Sequence, residues 1–536
     1  MEMHKVNTHK RHVFRDRGFR GLNPARICRP TQPTTNKKPS QPQPPHLAGP
    51  RGNQNQTKPP PVPPCRFTSS SHFTPLAAKA AAAASSGDHG AVTTTASIVT
   101  TPHFAALAPP SVPVHVAELR CPGGHEDFSL LPDDASSSSS APATFFAAAE
   151  AALAPALASA LRAHQGRPLA VVSDAVLYWA PRVARECGGV PHVTFHTIGA
   201  FAAAAMVAVH LHRRPEVLLP DPFVVPGGFP RSVKLRRAHV NEEALAHLPL
   251  FRAAEAESFA VAFNTFSAIE ADFASYYQNN LAGRPKKVFL VGPTRSATVV
   301  SPGEVTGGEE RDPILQWLDG RPAGSVVYVC FGSTCSFGES QLGELGAGLR
   351  ASGRPFLWVI PSHGGGAMAG EEERASSHGM VVAGRWAPQA EILGHGAVGG
   401  FVTHCGWNSA MEAVANGVPV ATWPLRAEQF VNEAFLVDVL RVGVRVREEE
   451  DLVEEEGVVV PAGAVARAVG RLMGSGGGQG EEEVEVEVAA RRARARELGA
   501  AARAAVAEGG SSCGDWARLV EELEALHGSK SDDAPM

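Results

Sequence analysis

At 536 residues the chain exceeds one ordinary hydrophobic core, so two folded domains are expected. Its 44% hydrophobic and 19% charged residues describe a soluble globular protein, and the net charge of -5 hides an asymmetry, since residues 1–66 carry thirteen Lys/Arg against two acidic residues. The body is therefore acidic, which argues against nucleic-acid binding, and the eight Cys include no C-x-x-C pair, which argues against zinc and a disulfide framework.

Residues 1–66 read as a disordered, basic, Pro-rich extension. TQPTTNKKPSQPQPPHLAGP and TKPPPVPP show no apolar periodicity and cannot bury enough surface to fold. The stretch is poor in acids, as some organelle transit peptides are, yet its Pro and Gln bias is not that of an amphipathic presequence. A cytoplasmic protein is expected, with plastid targeting as the alternative. PPPVPPCRFTSSS (59–71) reads against a regular central strand, because proline cannot donate to a sheet ladder: either a degraded strand pairs poorly there or unrelated sequence stands in its place. No run approaches the ~18 apolar residues of a membrane span. AFAAAAMVAV (200–209) reads as a short buried helix, and no integral membrane segment is expected.

Folded sequence is expected over 67–293. LAVVSDAV (169–176), HVTFHT (192–197) and VFLVGP (288–293) read as buried strands. Residues 294–313 are polar and read as an interdomain linker. Over 314–509 the alternation is cleaner: strands SVVYVCFG, PFLWVI, VGGFVTH and PVATWP, with helices through QLGELGAGLRASG, near AEILG, from Asn408, and through EQFVNEAFLVDVL. Near-continuous apolar strands alternating with helices predict α/β architecture, two Rossmann-like domains with parallel sheets facing a cleft. Residues 136–140, 364–370 and 474–483 read as surface loops, and 510–528 as a final amphipathic helix packing back on the first domain.

One segment concentrates polar chemistry. Residues 386–429 read WAPQAEILGHGAVGGFVTHCGWNSAMEAVANGVPVATWPLRAEQ. The turn His404-Cys405-Gly406-Trp407-Asn408-Ser409 lies where a strand gives way to a helix. Ligands bind beyond the carboxyl ends of strands in open α/β sheets, and a helix start offers free N–H groups and a positive dipole end to a phosphate. His404, Asn408 and Ser409 add side-chain donors, and Glu412 can accept from ribose hydroxyls. The plainer alternative makes Asn408 or Ser409 a helix N-cap. Gly394-His395-Gly396-Ala397-Val398-Gly399 formally fits G-x-G-x-x-G, but it precedes a strand instead of following one. An NAD-dependent oxidoreductase is accordingly the weaker alternative.

This segment closely resembles, over its full length, the secondary-product signature of plant family 1 UDP-glycosyltransferases. FGSTCSF (331–337), FNTFSAIEADF (263–273) and GGSSCGDWARLVEELEAL (509–526) extend the resemblance to most of 67–526. The resemblance implies a GT-B fold and an inverting transfer from UDP-glucose to a hydroxyl of a small phenolic or terpenoid metabolite. It assigns Trp386 to stacking on uracil, and Gln389 and Glu412 to uridine, with Ala387 beside them. His404, Asn408 and Ser409 would hold the diphosphate with Ser333 and Thr334, Gly406 would allow close approach, and Trp407, Glu428 and Gln429 would contact the sugar. Glu428 stands where many members have Asp, and the terminal Gln usually accompanies glucose. SSSHFTPLAAKAAA (69–82) resembles the element carrying the family's base, and VVSDAVLYWA (171–180) the strand end carrying its partner. His72 is thus the candidate base and Asp174 its orienting carboxylate, each with a plainer alternative, a loop histidine and a helix N-cap. Ser71 replaces the usual Gly. No metal and no cofactor beyond the UDP-sugar is expected, and a monomer is expected. A UDP-sugar-binding relative with impaired catalysis stays open, because it would follow from a missing first strand.

Overall fold

Continuous runs of β-branched and aromatic residues suit strands covered by helices on both faces. Val326–Cys330 and Val398–Thr403 are buried at every position. The computed structural model describes residues 64–65, 96–106, 108–110, 112–117, 141–164, 168–213, 220–240, 242–281, 287–294, 311–332, 337–360, 374–375, 378–384, 387–447, 459–474 and 482–529. The chain divides into residues 1–56, outside the described residues, and a unit spanning 57–536.

Within that second unit, the first sheet comprises β1 Pro64–Cys65, β2 Ile98–Thr100, β3 Val114–Val116, β4 Val171–Asp174, β5 His192–His196, β8 Ala260–Phe263 and β9 Lys287–Leu290. Its order is β3-β2-β1-β4-β5-β8-β9, and every pairing is parallel. A small antiparallel pair, β6 Phe223–Val224 and β7 Lys234–Leu235, stands apart. The second sheet comprises β10 Val326–Cys330, β11 Phe356–Ile360, β12 Arg374–Ala375, β13 Gly379–Ala383, β14 Val398–Thr403, β15 Val420–Thr422 and β16 Gly443–Arg445. Its order is β12-β13-β11-β10-β14-β15-β16, parallel except for β12 at one edge.

The Pro-rich stretch supplies a short central strand, the first of the two alternatives for 59–71, and it lies inside the extension read as disordered over 1–66. Cys65 pairs with Val99 on one side and Ser173 on the other, and Pro64 pairs with Val172. The strand is only two residues long, and Pro64 is its first residue, the place in a strand where a missing N–H is tolerated. The sheet therefore begins before Phe67.

The helices that matter for the site are α1 Ala141–Ala163, α2 Ala200–His212, α3 Ser267–Tyr276, α4 Gln389–Gly394, α5 Trp407–Asn416, α6 Gln429–Ala434, α7 Ala462–Met473, α8 Glu482–Val506 and α9 Ser511–Ser529. The Ala-rich α2 is buried along most of its length, as its sequence predicts. One apolar cluster runs through both sheets' helices, with Phe201 of α2 stacked on Phe435 at a centroid distance of 4.8 Å. Gly399, the last glycine of the G-x-G-x-x-G look-alike, and its neighbour Gly400 sit inside β14, where a Cβ would strike Gly324 or the Leu472 and Met473 side chains of α7. Those glycines serve strand packing, not a phosphate turn. The predicted loops at 136–140 and 364–370 lie outside the described residues. The third, predicted at 474–483, is bounded by Gly474 and by the start of α8 at Glu482.

Candidate active site

In the second sheet β10 lies between β11 and β14, so the chain leaves β10 toward one side and later returns on the other. Such a reversal opens a crevice at the carboxyl ends of the two strands. The loops leaving β10 and β14 meet there. A Cβ on Gly332, whose φ is +71°, would lie 2.7 Å from the His404 ring, and one on Gly406 would also collide with it. Only glycine at both places lets the imidazole fit between the loops. His404 is buried, and its Nδ1 has no hydrogen-bond partner among the described residues. Burial, then the nearby Arg426 charge, lowers its pKa to about 4. The ring is therefore neutral at ordinary pH, and an unpartnered buried polar atom at this place suits a ligand.

Cys405 takes a left-handed φ of 65° between His404 and Gly406. Asn432 of α6 holds that strained turn by donating from Nδ2 to the Cys405 carbonyl at 2.9 Å. The helix begins one residue earlier than the sequence suggests: α5 starts at Trp407, with Gly406 as its N-cap and no side-chain cap bond. Asn408 and Ser409 are thus within the first turn, and the N-cap alternative fails. Gly417 closes α5 in the left-handed conformation at φ 70°.

A group of hydrogen-bonding side chains gathers beside this helix. Gln389 Nε2 donates to Glu412 Oε2 at 2.8 Å and to Ser409 Oγ at 3.0 Å, while the Tyr328 hydroxyl donates to Gln389 Oε1 at 3.2 Å. Ala387 is buried just before α4, its carbonyl accepting from Gln389 N at 2.8 Å. Glu428 precedes α6, within 3.5 Å of Asn432 Nδ2. Gln429 is buried, and its Oε1 accepts from the Leu425 and Arg426 amides at 2.9 and 3.1 Å. That bonding fixes the carboxamide and leaves its NH₂ to donate. Ser333, Thr334, Trp386 and His72 lie outside the described residues.

The Trp407 side chain is built into the contact between the two halves. It is buried, and Nε1 donates to the Asn264 carbonyl of the first sheet's half at 2.9 Å. A Cβ on Gly199 would come within 2.7 Å of the indole and 2.8 Å of Glu270 Oε1. The indole is thus a wedge between the two halves, and what Trp407 can offer a sugar is its main chain. Asn264 also donates from Nδ2 to Asn408 Oδ1 at 3.3 Å and accepts the Thr294 amide on Oδ1 at 2.8 Å. Glu270 accepts from the Ala200 and Phe201 amides at the start of α2, at 3.1 and 2.7 Å. Burial raises its pKa to about 7.

In the first sheet, β1 and β4 end side by side, Cys65 opposite Ser173. Asp174 closes β4, buried, with Oδ1 accepting the Val176 amide at 2.9 Å and Oδ2 the Thr197 hydroxyl at 3.4 Å. The next helix begins at Ala180 with Trp179 at its N-cap, so Asp174 is not a helix cap.

Residues 314–454 match the family model for UDP-glucoronosyl and UDP-glucosyl transferase. UDP-glycosyltransferase 73B4 from Arabidopsis thaliana is 35% identical over 378 residues, covering 67% of this chain and 74% of that protein. The chain belongs to the plant family 1 UDP-glycosyltransferases. UDP-glycosyltransferase 73C7, also from Arabidopsis thaliana, is 34% identical over 67% of this chain and 75% of its own length. Among solved structures, Glycyrrhiza uralensis UGT73P12, complexed with glycyrrhetinic acid 3-O-monoglucuronide, superposes with a TM-score of 0.70. It shares 29% identity and covers 88% of this chain and 98% of its own. Arabidopsis thaliana UGT89C1, complexed with quercetin, gives a TM-score of 0.65 at 25% identity, covering 87% of this chain and 100% of its own. The fold is the two-domain GT-B arrangement, and the enzyme is a UDP-sugar glycosyltransferase.

Proposed function

We propose that this glycosyltransferase moves glucose from UDP-glucose to a hydroxyl of a small phenolic or terpenoid metabolite, with inversion at the anomeric carbon. The observation that carries the donor half is the cluster of Gln389, Ser409, Glu412 and His404 around the start of α5. Gln389 and Glu412 bind the ribose, and Trp386 stacks on the base beside Ala387. The α5 N-terminus, His404, Asn408 and Ser409, with Ser333 and Thr334, take the diphosphate. The charge that develops on UDP is met by these preorganised donors, without a metal. Glu428, the Gln429 NH₂ and the Trp407 main chain face the sugar. The ligands in the two neighbouring complexes, one triterpenoid and one flavonoid, support the acceptor class.

His72 takes the acceptor proton as the hydroxyl oxygen attacks, and Asp174 holds the imidazolium that forms. β1 supports this reading, because it occupies the central place beside β4 that an intact acceptor half requires. The protein works as a cytoplasmic monomer. The test is a UDP-glucose assay against a panel of phenolic and triterpenoid aglycones. His72→Ala should lower transfer by about 10² to 10⁴-fold while UDP affinity is kept. Unchanged turnover in that variant would overturn the assignment of the base.

A further inference from the structure

Asn432 lies one turn into α6 and is fully buried. Its Nδ2 donates to the Cys405 carbonyl at 2.9 Å and comes within 3.5 Å of Glu428 Oε1. One side chain thus spans the turn after β14 and the start of α6, where Glu428 and Gln429 stand. A carbonyl can only accept, so the Asn432 atom facing Cys405 is the NH₂. The amide oxygen is left buried without a hydrogen-bond partner among the described residues. An unpaired buried acceptor is destabilising, and an apolar side chain would avoid it. What the carboxamide supplies in return is the donor to Cys405.

Cys405 needs such a donor. At φ 65° it holds a left-handed conformation that residues bearing a Cβ rarely adopt, and such a conformation persists only where its surroundings over-determine it. The Cys405 amide donates to Thr403 Oγ1 at 3.3 Å, and the carbonyl accepts from Asn432. These two bonds grip both peptide planes that flank the strained Cα. Without the second, the backbone relaxes and the peptide units joining Cys405 to His404 and Gly406 turn. The His404 ring is wedged between Gly332 and Gly406, and Gly406 is the N-cap of α5. The imidazole and the first amides of α5 then no longer converge. The body of α5 stays in place, because Trp407 Nε1 is anchored separately on the Asn264 carbonyl and Gln389 is bonded to Ser409 and Glu412.

We infer that Asn432 is a positioning residue that holds Cys405 in its left-handed conformation and so keeps His404 and the α5 N-terminus converged on the donor diphosphate. The inference rests on the proposed placement of that diphosphate at α5. It makes the helix whose start is expected to face the sugar also the support of the turn that takes the phosphates.

Calorimetric titration of Asn432→Ala with UDP and with uridine tests the hold. UDP binding should weaken by about tenfold, while uridine, which makes no demand on the turn, should bind within about twofold of wild type. Glycine adopts the left-handed conformation without strain, so Cys405→Gly should remove the need for the hold. In that background Asn432→Ala should weaken UDP by less than about twofold. Unchanged UDP affinity in Asn432→Ala would overturn the inference. So would equal losses for UDP and uridine, which mark a general loosening of the fold, or a tenfold loss that persists with Cys405→Gly. Should the alanine variant not fold, Asn432→Leu carries the same test, since it keeps the volume and removes the donor and the orphaned acceptor together. Wild-type protein that binds UDP no more tightly than uridine would refute the diphosphate placement itself, an outcome distinct from failure of the hold.

Discussion

Glu270 and His404 respond to pH in opposite senses, because burial disfavours the charged form of each. Glu270 has its folded pKa raised from 4.5 to about 7. Between those values the folded protein keeps a proton that the unfolded chain releases. Stability that is fully present below about 4.5 is therefore lost as pH climbs through 7. The Ala200 and Phe201 amides at the start of α2 only partly offset this. His404, with its pKa lowered from 6.5 to about 4, does the reverse: its contribution is present above 6.5 and lost as pH falls through 4. Glu270→Gln removes the first dependence while an amide oxygen remains to accept from α2. Thermal melts from pH 5 to pH 8 should show the variant gaining on wild type as pH rises, by on the order of 3 kcal/mol at the alkaline end. A wild-type and variant difference that stays flat over that range would show that Glu270 ionises normally.

The donor helix α5 is held at its far end by a glycine crossing with α8. A Cβ on Gly499 would lie 2.9 Å from Gly417 N and 3.0 Å from Gly417 Cα; one on Gly417 would lie 3.2 Å from Arg496 Cα, in a left-handed conformation as well. Gly417→Ala should cost about 1–2 kcal/mol for the backbone alone, and Gly499→Ala about 1–3 kcal/mol for the overpacking. Because both relieve or strain the same contact, the double variant should fall short of the sum. The crossing is about 15 Å along the helix from the phosphate end, so UDP affinity should stay within about twofold of wild type. Chemical denaturation and UDP titration of the three variants check this; strict additivity, or affinity falling with stability, would contradict it. These elements also mark what could be read without coordinates. β10, β11 and β14 were legible because buried parallel strands are unbroken apolar runs, and α5 because Gly417 punctuates it. α1 was not, since its Ala-rich composition gives weak periodicity and Pro155 interrupts it. β1 could not be decided because two residues carry no pattern of their own; its neighbours β2 and β4 define it. The residues of the donor segment could be gathered because they lie close in sequence. The Trp407 and Asn264 contact joins positions 143 apart, and no spacing rule foresees it.

At the scale of the whole molecule, the question is whether the two sheets unfold separately or together. Apolar packing favours together. One continuous buried cluster includes Phe201 and Phe273 from the acceptor half and Trp407, Phe435 and Leu436 from the donor half. The last helices reinforce it: α8 lies on α5, while α9 returns to the first sheet, burying Leu519 and Leu523 against Val193, Phe195 and Phe289. Asp515 at the start of α9 accepts the Leu290 amide of β9 at 2.8 Å. Large apolar interfaces of this kind make domains cooperative, whereas small polar ones leave them independent. A ligand confined to the donor half should therefore stabilise the acceptor half equally. At a UDP concentration 100 times its Kd, the single endotherm of the protein should move upward as one, by the equivalent of about 2.7 kcal/mol. Leu519→Ala with Leu523→Ala, changes made entirely on the acceptor side, should lower that same endotherm, at about 2–5 kcal/mol for each leucine. Two endotherms, with UDP moving one and the leucine changes the other, would show instead that the shared cluster is too weak to couple the halves. Site-specific fluorescence then decides at which interface coupling is lost, because Trp407 lies in the contact between the halves and Trp423 in the donor-side cluster formed with Phe331 and Phe337.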